Sequence, residues 1–282
     1  MHLALIGCGL MGGSFALAAQ QAGIITRVTG YSIPYSSAQH FFELGVIQHI
    51  AQSAAEAVAM ADVVLLATPV ASLPQLLAEV ASALKPQTLV MDVGSTKRSV
   101  QQAATHTLAD KAHFFVPAHP IAGKEQAGHA DPRADLYHNK TVILCPNEQT
   151  HPTALKQAHE LWQHVGAHTQ ELSALDHDRG LAAVSHLPHF LAFAYMDALL
   201  AQADHTELLA LGGPGFRDFS RIAGCEASIW KDILIDNQDQ ILPLLQAVRQ
   251  SIQDLEVLIT KNQPEKLASV LNQASQARIN WP

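Results

Sequence analysis

The turn Gly7-Cys8-Gly9-Leu10-Met11-Gly12 lies between an apolar run, Leu3 to Ile6, and an alanine-rich stretch, Ser14 to Gln21. No other feature constrains the fold as much. The first glycine of such a turn permits the tight bend, and the second lets backbone approach a diphosphate. The third lets the following helix pack on the strand, so that the helix N-terminus faces the phosphates. The plain alternative is a purely structural strand–turn–helix; the apolar strand before and the helix after favour a bound dinucleotide. Gly7, Gly9, Leu10, Met11 and Gly12 are therefore candidate cofactor-binding residues.

Beyond this turn, short apolar or β-branched runs recur at 27–31, 62–67, 88–92, 113–117 and 141–145, with a weaker one at 168–172. Helix-like stretches at 10–22, 53–60, 73–84, 97–109 and 152–165 separate them. Strands this apolar alternating with helices predict a parallel sheet covered on both faces, an α/β doubly wound Rossmann-type fold. After residue 172 the strand pattern stops and the chain turns helical, with Asp176 or Asp178 as candidate cap of the first helix. We therefore expect a dinucleotide-binding domain over 1–172 and an all-helical substrate and dimerisation domain over 173–282. The last long helix carries an apolar stripe, Ile241, Leu245, Val248, Ile252, Leu255 and Ile259. That stripe fits either a buried core face or a seam between two copies, and a homodimer is expected through this domain.

The end of the second strand bears on which dinucleotide binds. An acidic residue there would hold the ribose 2′-hydroxyl of NAD. The chain instead has Tyr31-Ser32, then Ser36 and Ser37. Three hydroxyls and no carboxylate suit the 2′-phosphate of NADP, although no arginine follows to clamp it. Alternatively these serines cap the next helix. The reading favours NADP and leaves NAD open. Thr68-Pro69, at the end of the third strand, is expected to border the cofactor, unless the proline only stops the strand.

Composition narrows the partners. The formal charge of −8 disfavours nucleic acid and anionic membranes, since both would be repelled. No apolar run reaches the roughly 18 residues a membrane span needs, and no signal segment is expected at the N-terminus. Three scattered cysteines, Cys8, Cys145 and Cys225, read as reduced thiols of a cytoplasmic protein.

Three further segments carry chemistry. Asp92-Val93-Gly94-Ser95-Thr96-Lys97 follows a strand end, as does His119-Pro120-Ile121-Ala122-Gly123-Lys124-Glu125. Ser185-His186-Leu187-Pro188-His189 lies in the helical half, ahead of Gly215-Phe216-Arg217-Asp218-Phe219-Ser220-Arg221. Open sheets place ligands beyond the C-terminal ends of their strands, where the first two segments fall.

With the glycine turn, these segments resemble the prephenate/arogenate dehydrogenase family of tyrosine biosynthesis. The likeness runs from Gly7 to about Trp230. It implies an oxidative decarboxylation of prephenate, arogenate or both, to 4-hydroxyphenylpyruvate or tyrosine. It also implies roles. His119 would accept the hydroxyl proton, and Ser95 would hydrogen-bond near the reacting hydroxyl, with Gly94 and Ser95 beside the cofactor. Arg221 would bind a substrate carboxylate through paired donors. His186, Arg217, Glu125 and Trp230 would line or gate the substrate pocket. Alone, His119 reads as a surface histidine before a turn, and Ser95 as a helix cap. His186 and His189, a turn apart, would be two metal ligands, but with no third in view no metal is expected.

Two other readings compete. A β-hydroxyacid-type dehydrogenase shares the glycine start but relies on a lysine in its helical half, and none lies between Lys156 and Lys231. A non-catalytic dinucleotide sensor would have no need of His119, Ser95 and Arg221 together. With the chain ending at Pro282, no separate regulatory module of the kind that would respond to tyrosine is expected after the helical half.

Overall fold

The computed structural model describes residues 1–122 and 131–281. Six strands form the main sheet: β1 (His2–Ile6), β2 (Arg27–Tyr31), β3 (His49–Ile50), β4 (Val63–Leu66), β5 (Leu89–Asp92) and β6 (Phe115–Val116). All pair in parallel in the order β3-β2-β1-β4-β5-β6. Every residue of β4 and β5 is buried, as a central parallel strand requires. The chain reverses direction across the sheet between β1 and β4, the crevice where doubly wound folds take their ligands.

The crossovers are α1 (Leu10–Gln21), α2 (Tyr35–Glu43), α3 (Ala54–Val58), α4 (Leu73–Ala81) and α5 (Arg98–Leu108), with α6 (Pro152–His164) added later. On one face Phe15, Tyr137 and Trp162 interlock edge to face, with ring centroids 4.7 and 5.2 Å apart. Leu73, Leu77, Val80 and Val100 fill the other face. The Tyr137 hydroxyl donates to Met11 O at 2.6 Å and pins the first turn of α1.

The expectation of one sheet needs correction. The segments 141–145 and 168–172 belong to a second, three-stranded sheet: β7 (Ala118–Pro120), β8 (Thr141–Leu144) and β9 (His168–Glu171). β7 runs antiparallel to β8, pairing His119 with Ile143, while β8 and β9 are parallel. β6 stops at Val116, and Pro117, which has no N–H for a ladder, separates it from β7. The chain thereby lifts out of the main sheet and carries His119 past its C-terminal edge.

The helical half begins with α7 (Ala174–Leu181), followed by a π-helical turn (Ala182–His186), α8 (Leu187–Leu200), α9 (His205–Ala210), α10 (Pro214–Ser220) and α11 (Ala227–Asp236). Ser173, rather than Asp176 or Asp178, caps α7. Its hydroxyl accepts from Asp176 N at 3.0 Å and donates to the Asp176 carboxylate at 2.6 Å. Residues 1–237 form one compact unit, with α11 packed against the turn Val70–Ser72 that follows β4. Residues 238–282 form a second unit, α12 (Gln238–Thr260) and α13 (Pro264–Ile279). Along α12 the apolar stripe is open to solvent at Ile252 and Ile259.

Candidate active site

Gly7 and Gly12 make the tight turn and the close helix–strand packing that the spacing suggested. Gly7 takes φ +99°, and a Cβ there would clash with Ala67 O. A Cβ on Gly12 would fall 2.5 Å from Leu5 Cδ1 and 2.7 Å from Ala67 Cβ. Gly9 alone has open space: a Cβ would meet nothing within 4 Å among the described residues. That gap at the N-terminus of α1 is a cradle that a side chain would fill. It fits a pyrophosphate approached by backbone N–H groups.

Around it, Ser32 Oγ accepts from Cys8 N at 3.3 Å, which ties the end of β2 to the turn. Ser36 and Ser37 lie in the first turn of α2, whose N-cap is Pro34, so neither serine caps that helix. Thr68 packs its methyl against Gly7, and its hydroxyl accepts from Ser72 at 2.9 Å; Pro69 precedes the turn Val70–Ser72. The structure thus gathers Gly7, Gly9, Leu10, Met11, Gly12, Ser32, Thr68 and Pro69 about the β1–β4 crevice.

At the end of β5, Asp92 and Lys97 are both fully buried and ion-paired. Lys97 Nζ also donates to Ala118 O at 2.8 Å. Asp92 accepts from Gly94 N at 2.8 Å and from Ala118 N at 3.1 Å. This pair clamps the loop carrying Gly94 and Ser95 to the strand carrying His119. Ser95 is half-buried within that loop and caps no helix, since α5 starts at Arg98. Its first N–H groups are taken instead by Asp178, which accepts from Lys97 N (2.8 Å) and Arg98 N (3.0 Å).

His119 is half-buried, and its Nδ1 lies 2.8 Å from His177 Nε2. His177 Nδ1 lies 2.8 Å from Asp178 Oδ1. Burial first, then the fields of His177, Lys97 and His186, hold His119 well below the usual histidine range. Burial likewise lowers His177. At Asp178 burial alone would raise the carboxyl, but hydrogen bonds from His177, Arg98 and Lys97 outweigh it and keep it ionised.

His186 is 1% exposed and pushed down to about 4, chiefly by burial. Its Nδ1 lies 3.1 Å from Asn237 Nδ2. The Asn237 amide is oriented by partners of one kind each. Its oxygen accepts from the Arg98 guanidinium at 3.3 Å, and its nitrogen donates to the Asp178 carbonyl at 2.8 Å. His186 Nδ1 is therefore the acceptor and Nε2 bears the proton. That buried N–H has no hydrogen-bond partner among the described residues, a donor aimed at a missing acceptor.

Trp230 stands 6.2 Å from the His186 ring and stacks on His189 at 3.7 Å. The His189 Nδ1 donates to Ser185 O at 2.8 Å. Among the described residues no three His, Cys, Asp or Glu side chains gather as a metal site. Arg217 lies on α10 and Arg221 opens the 3-10 turn Arg221–Gly224, which packs against α8. Both are exposed. Glu125 lies outside the described residues. Sequence reasoning missed His177, Asn237 and the role of Asp178. The adjacent pair His177-Asp178 was the available signal, hidden among sixteen histidines.

No helix among the described residues is long and apolar enough to cross a membrane. Residues 15–171 match the family model for the prephenate dehydrogenase nucleotide-binding domain, and 173–273 the one for the prephenate dehydrogenase dimerization domain. The chain is 34% identical to prephenate dehydrogenase of Bacillus subtilis, covering 99% of this chain and 75% of that one. It is 30% identical to cyclohexadienyl dehydrogenase of Zymomonas mobilis, covering 99% and 95%. Prephenate dehydrogenase of Aquifex aeolicus, crystallised with hydroxyphenyl propionate and NAD+, superposes with a TM-score of 0.92 at 31% identity, covering 100% and 98%. A Rossmann-type sheet with a glycine cradle, a half-buried histidine beyond its edge and a family match over 15–171 and 173–273 lead to one conclusion: the chain belongs to the prephenate dehydrogenase family of oxidoreductases.

Proposed function

We propose that the protein catalyses the oxidative decarboxylation of prephenate, arogenate or both, forming 4-hydroxyphenylpyruvate or tyrosine. The observation that carries this reading is His119: a half-buried imidazole past the sheet edge, held neutral by burial, within the field of His186, whose buried Nε2 has no partner among the described residues. A neutral imidazole is competent to take a hydroxyl proton, and a buried N–H is ready for an anionic oxygen.

When bound, a dinucleotide would supply the hydride acceptor for the carbinol carbon. His119 takes the hydroxyl proton as the C–H bond breaks. The ring carboxylate then leaves as CO2, its bonding electrons enter the ring, and the new phenolate oxygen recovers the proton from His119. Aromatisation drives the sequence, so the chain's task is to orient the reactants and handle one proton. Ser95 lies on the loop clamped to His119 and is suited to the reacting hydroxyl. Arg221, with Arg217, His186 and Trp230, forms the substrate side, and Glu125 is proposed as a further substrate-binding residue; Arg221 grips a carboxylate and contributes mainly to binding.

Gly7, Gly9, Leu10, Met11, Gly12, Thr68, Pro69, Gly94 and Ser95 hold the dinucleotide. Ser32, Ser36 and Ser37, with no carboxylate among them, favour NADP over NAD. The boundary at 172/173 separates the two roles, and the α12 stripe, open to solvent at Ile252 and Ile259, supports a homodimer. The free cysteines suit the cytoplasm. Steady-state rates with prephenate and arogenate, each with NAD and NADP, test the reading. Reduction with NADP at the higher kcat/KM is expected; no reduction in any combination would overturn the assignment.

A further inference from the structure

We propose that His177 and Asp178 are positioning residues, a relay that fixes His119 with its proton on Nδ1 and its lone pair on Nε2. Each hydrogen bond of the relay has a direction that chemistry dictates. Asp178 receives four donors: Lys97 N and His177 Nδ1 on one oxygen, Arg98 N and Arg98 Nε on the other. An ionised carboxylate only accepts, so His177 Nδ1 bears a proton. A neutral His177 then presents a lone pair at Nε2, and His119 Nδ1, 2.8 Å away, must donate to it. Only Nε2 of His119 remains to receive a proton from substrate.

The relay has a second consequence. When His119 becomes charged, the extra proton is balanced through His177 by the Asp178 carboxylate, whose two oxygens are already held by the start of α5. The device works like the buried carboxylate of a serine-protease triad, which fixes a tautomer without itself taking the proton. Here a second imidazole is interposed. The proposal rests on His119 being the base of the reaction proposed above.

Asp178→Asn is the sharpest probe. An amide NH2 facing Arg98 would oppose two donors that cannot change. Facing His177 it opposes the Lys97 N–H and a ring that can switch tautomer. The amide should settle there, turn His177 around and leave His119 Nε2 protonated. We expect kcat to fall about 10²- to 10⁴-fold, the range a general base supplies, with KM little changed. His177→Leu should fall comparably, and His177→Gln, whose side-chain oxygen can still accept from His119 Nδ1, should recover part of the loss.

Nitrogen NMR of histidine-labelled protein without substrate reads the tautomer directly, with the His119 signals identified by their loss in His119→Asn. A pyridine-like Nε2 in the wild type that becomes pyrrole-like in Asp178→Asn is expected. A pyridine-like Nδ1 in the wild type would overturn the relay. So would equal turnover by His177→Leu and the wild type, which does not require Asp178→Asn to fold. Because the NMR needs no turnover, failure of the relay and failure of the substrate assignment give different results.

Discussion

Lys97 Nζ is fully buried and divides its protons between the Asp92 carboxylate and the backbone carbonyl of Ala118, the residue before His119. Breaking such a pair leaves an uncompensated charge in the interior, which costs about 3–5 kcal/mol. Lys97→Met should therefore lose most of that range in urea unfolding, and His119 should lose its fixed position with it. Adding Asp92→Leu should return part of the stability by removing the stranded charge, without returning activity. A Lys97→Met protein as stable as the wild type would show that the pair contributes little to the fold.

The glycines of the first turn should separate binding from stability. Gly9 has extended backbone and open space at its Cβ position. Gly9→Ala should leave unfolding nearly unchanged yet weaken dinucleotide binding by tenfold or more, about 1.4 kcal/mol. Gly12→Ala drives a methyl into Leu5 and Ala67. Overpacking of that kind costs about 1–3 kcal/mol. Calorimetric titration of dinucleotide beside thermal unfolding of both variants distinguishes the two. Loss of stability in Gly9→Ala would contradict the assignment of its gap to the ligand.

The glycine turn, β1, β2, β4, β5 and β6, and α1, α3, α4, α5 and α6 were legible because their signals are local: turn chemistry, apolar runs and helical spacing, whereas the two-residue β3 and the short α2 were not read. What escaped was non-local. That Asp178 caps α5 depends on a contact across 81 residues of chain, and helix-cap patterns on α7 pointed the wrong way because Ser173 outcompetes it there. The second sheet escaped for the same reason. β8 and β9 read as strands, but which sheet a strand joins is decided by partners, and β7 is only three residues long. His119 and His186 were found through their motifs; His177 and Asn237, which set how those rings are protonated, belong to no motif.

Acid should destabilise the protein before its carboxylates titrate. His186 is held down to about 4, and burial also lowers His119 and His177, while in the unfolded chain each ring takes its proton near pH 6.5. Below about pH 6.5 the unfolded chain binds more protons than the folded one. The stability contributed by these neutral rings is therefore complete above that pH and erodes as pH falls towards 4. For His186 alone the interval is worth about 3 kcal/mol at ~1.4 kcal/mol per pH unit. Urea unfolding at pH 7.5, 6 and 5 should show the decline, and His186→Gln should flatten it. Constant stability across that range would argue that these rings are not neutral in the fold.

Asn237 tests whether the buried N–H of His186 serves the substrate. Asn237 Nδ2 donates to His186 Nδ1 and so leaves the proton on Nε2. In Asn237→Asp the carboxylate keeps the Arg98 contact but can only accept from His186. The ring should then switch its proton to Nδ1, turning Nε2 from donor to acceptor. An anionic substrate group would meet a lone pair where it formerly met an N–H, and KM should rise about tenfold or more, a loss of at least ~1.4 kcal/mol. Asn237 meets the relay to His119 only at the Asp178 carbonyl, whose bond it loses, and at the Arg98 guanidinium; the Asp178 carboxylate keeps its Lys97, Arg98 and His177 donors, so kcat should change less than KM. A fall in kcat with KM unchanged would instead place His186 in the proton path and remove it from substrate binding.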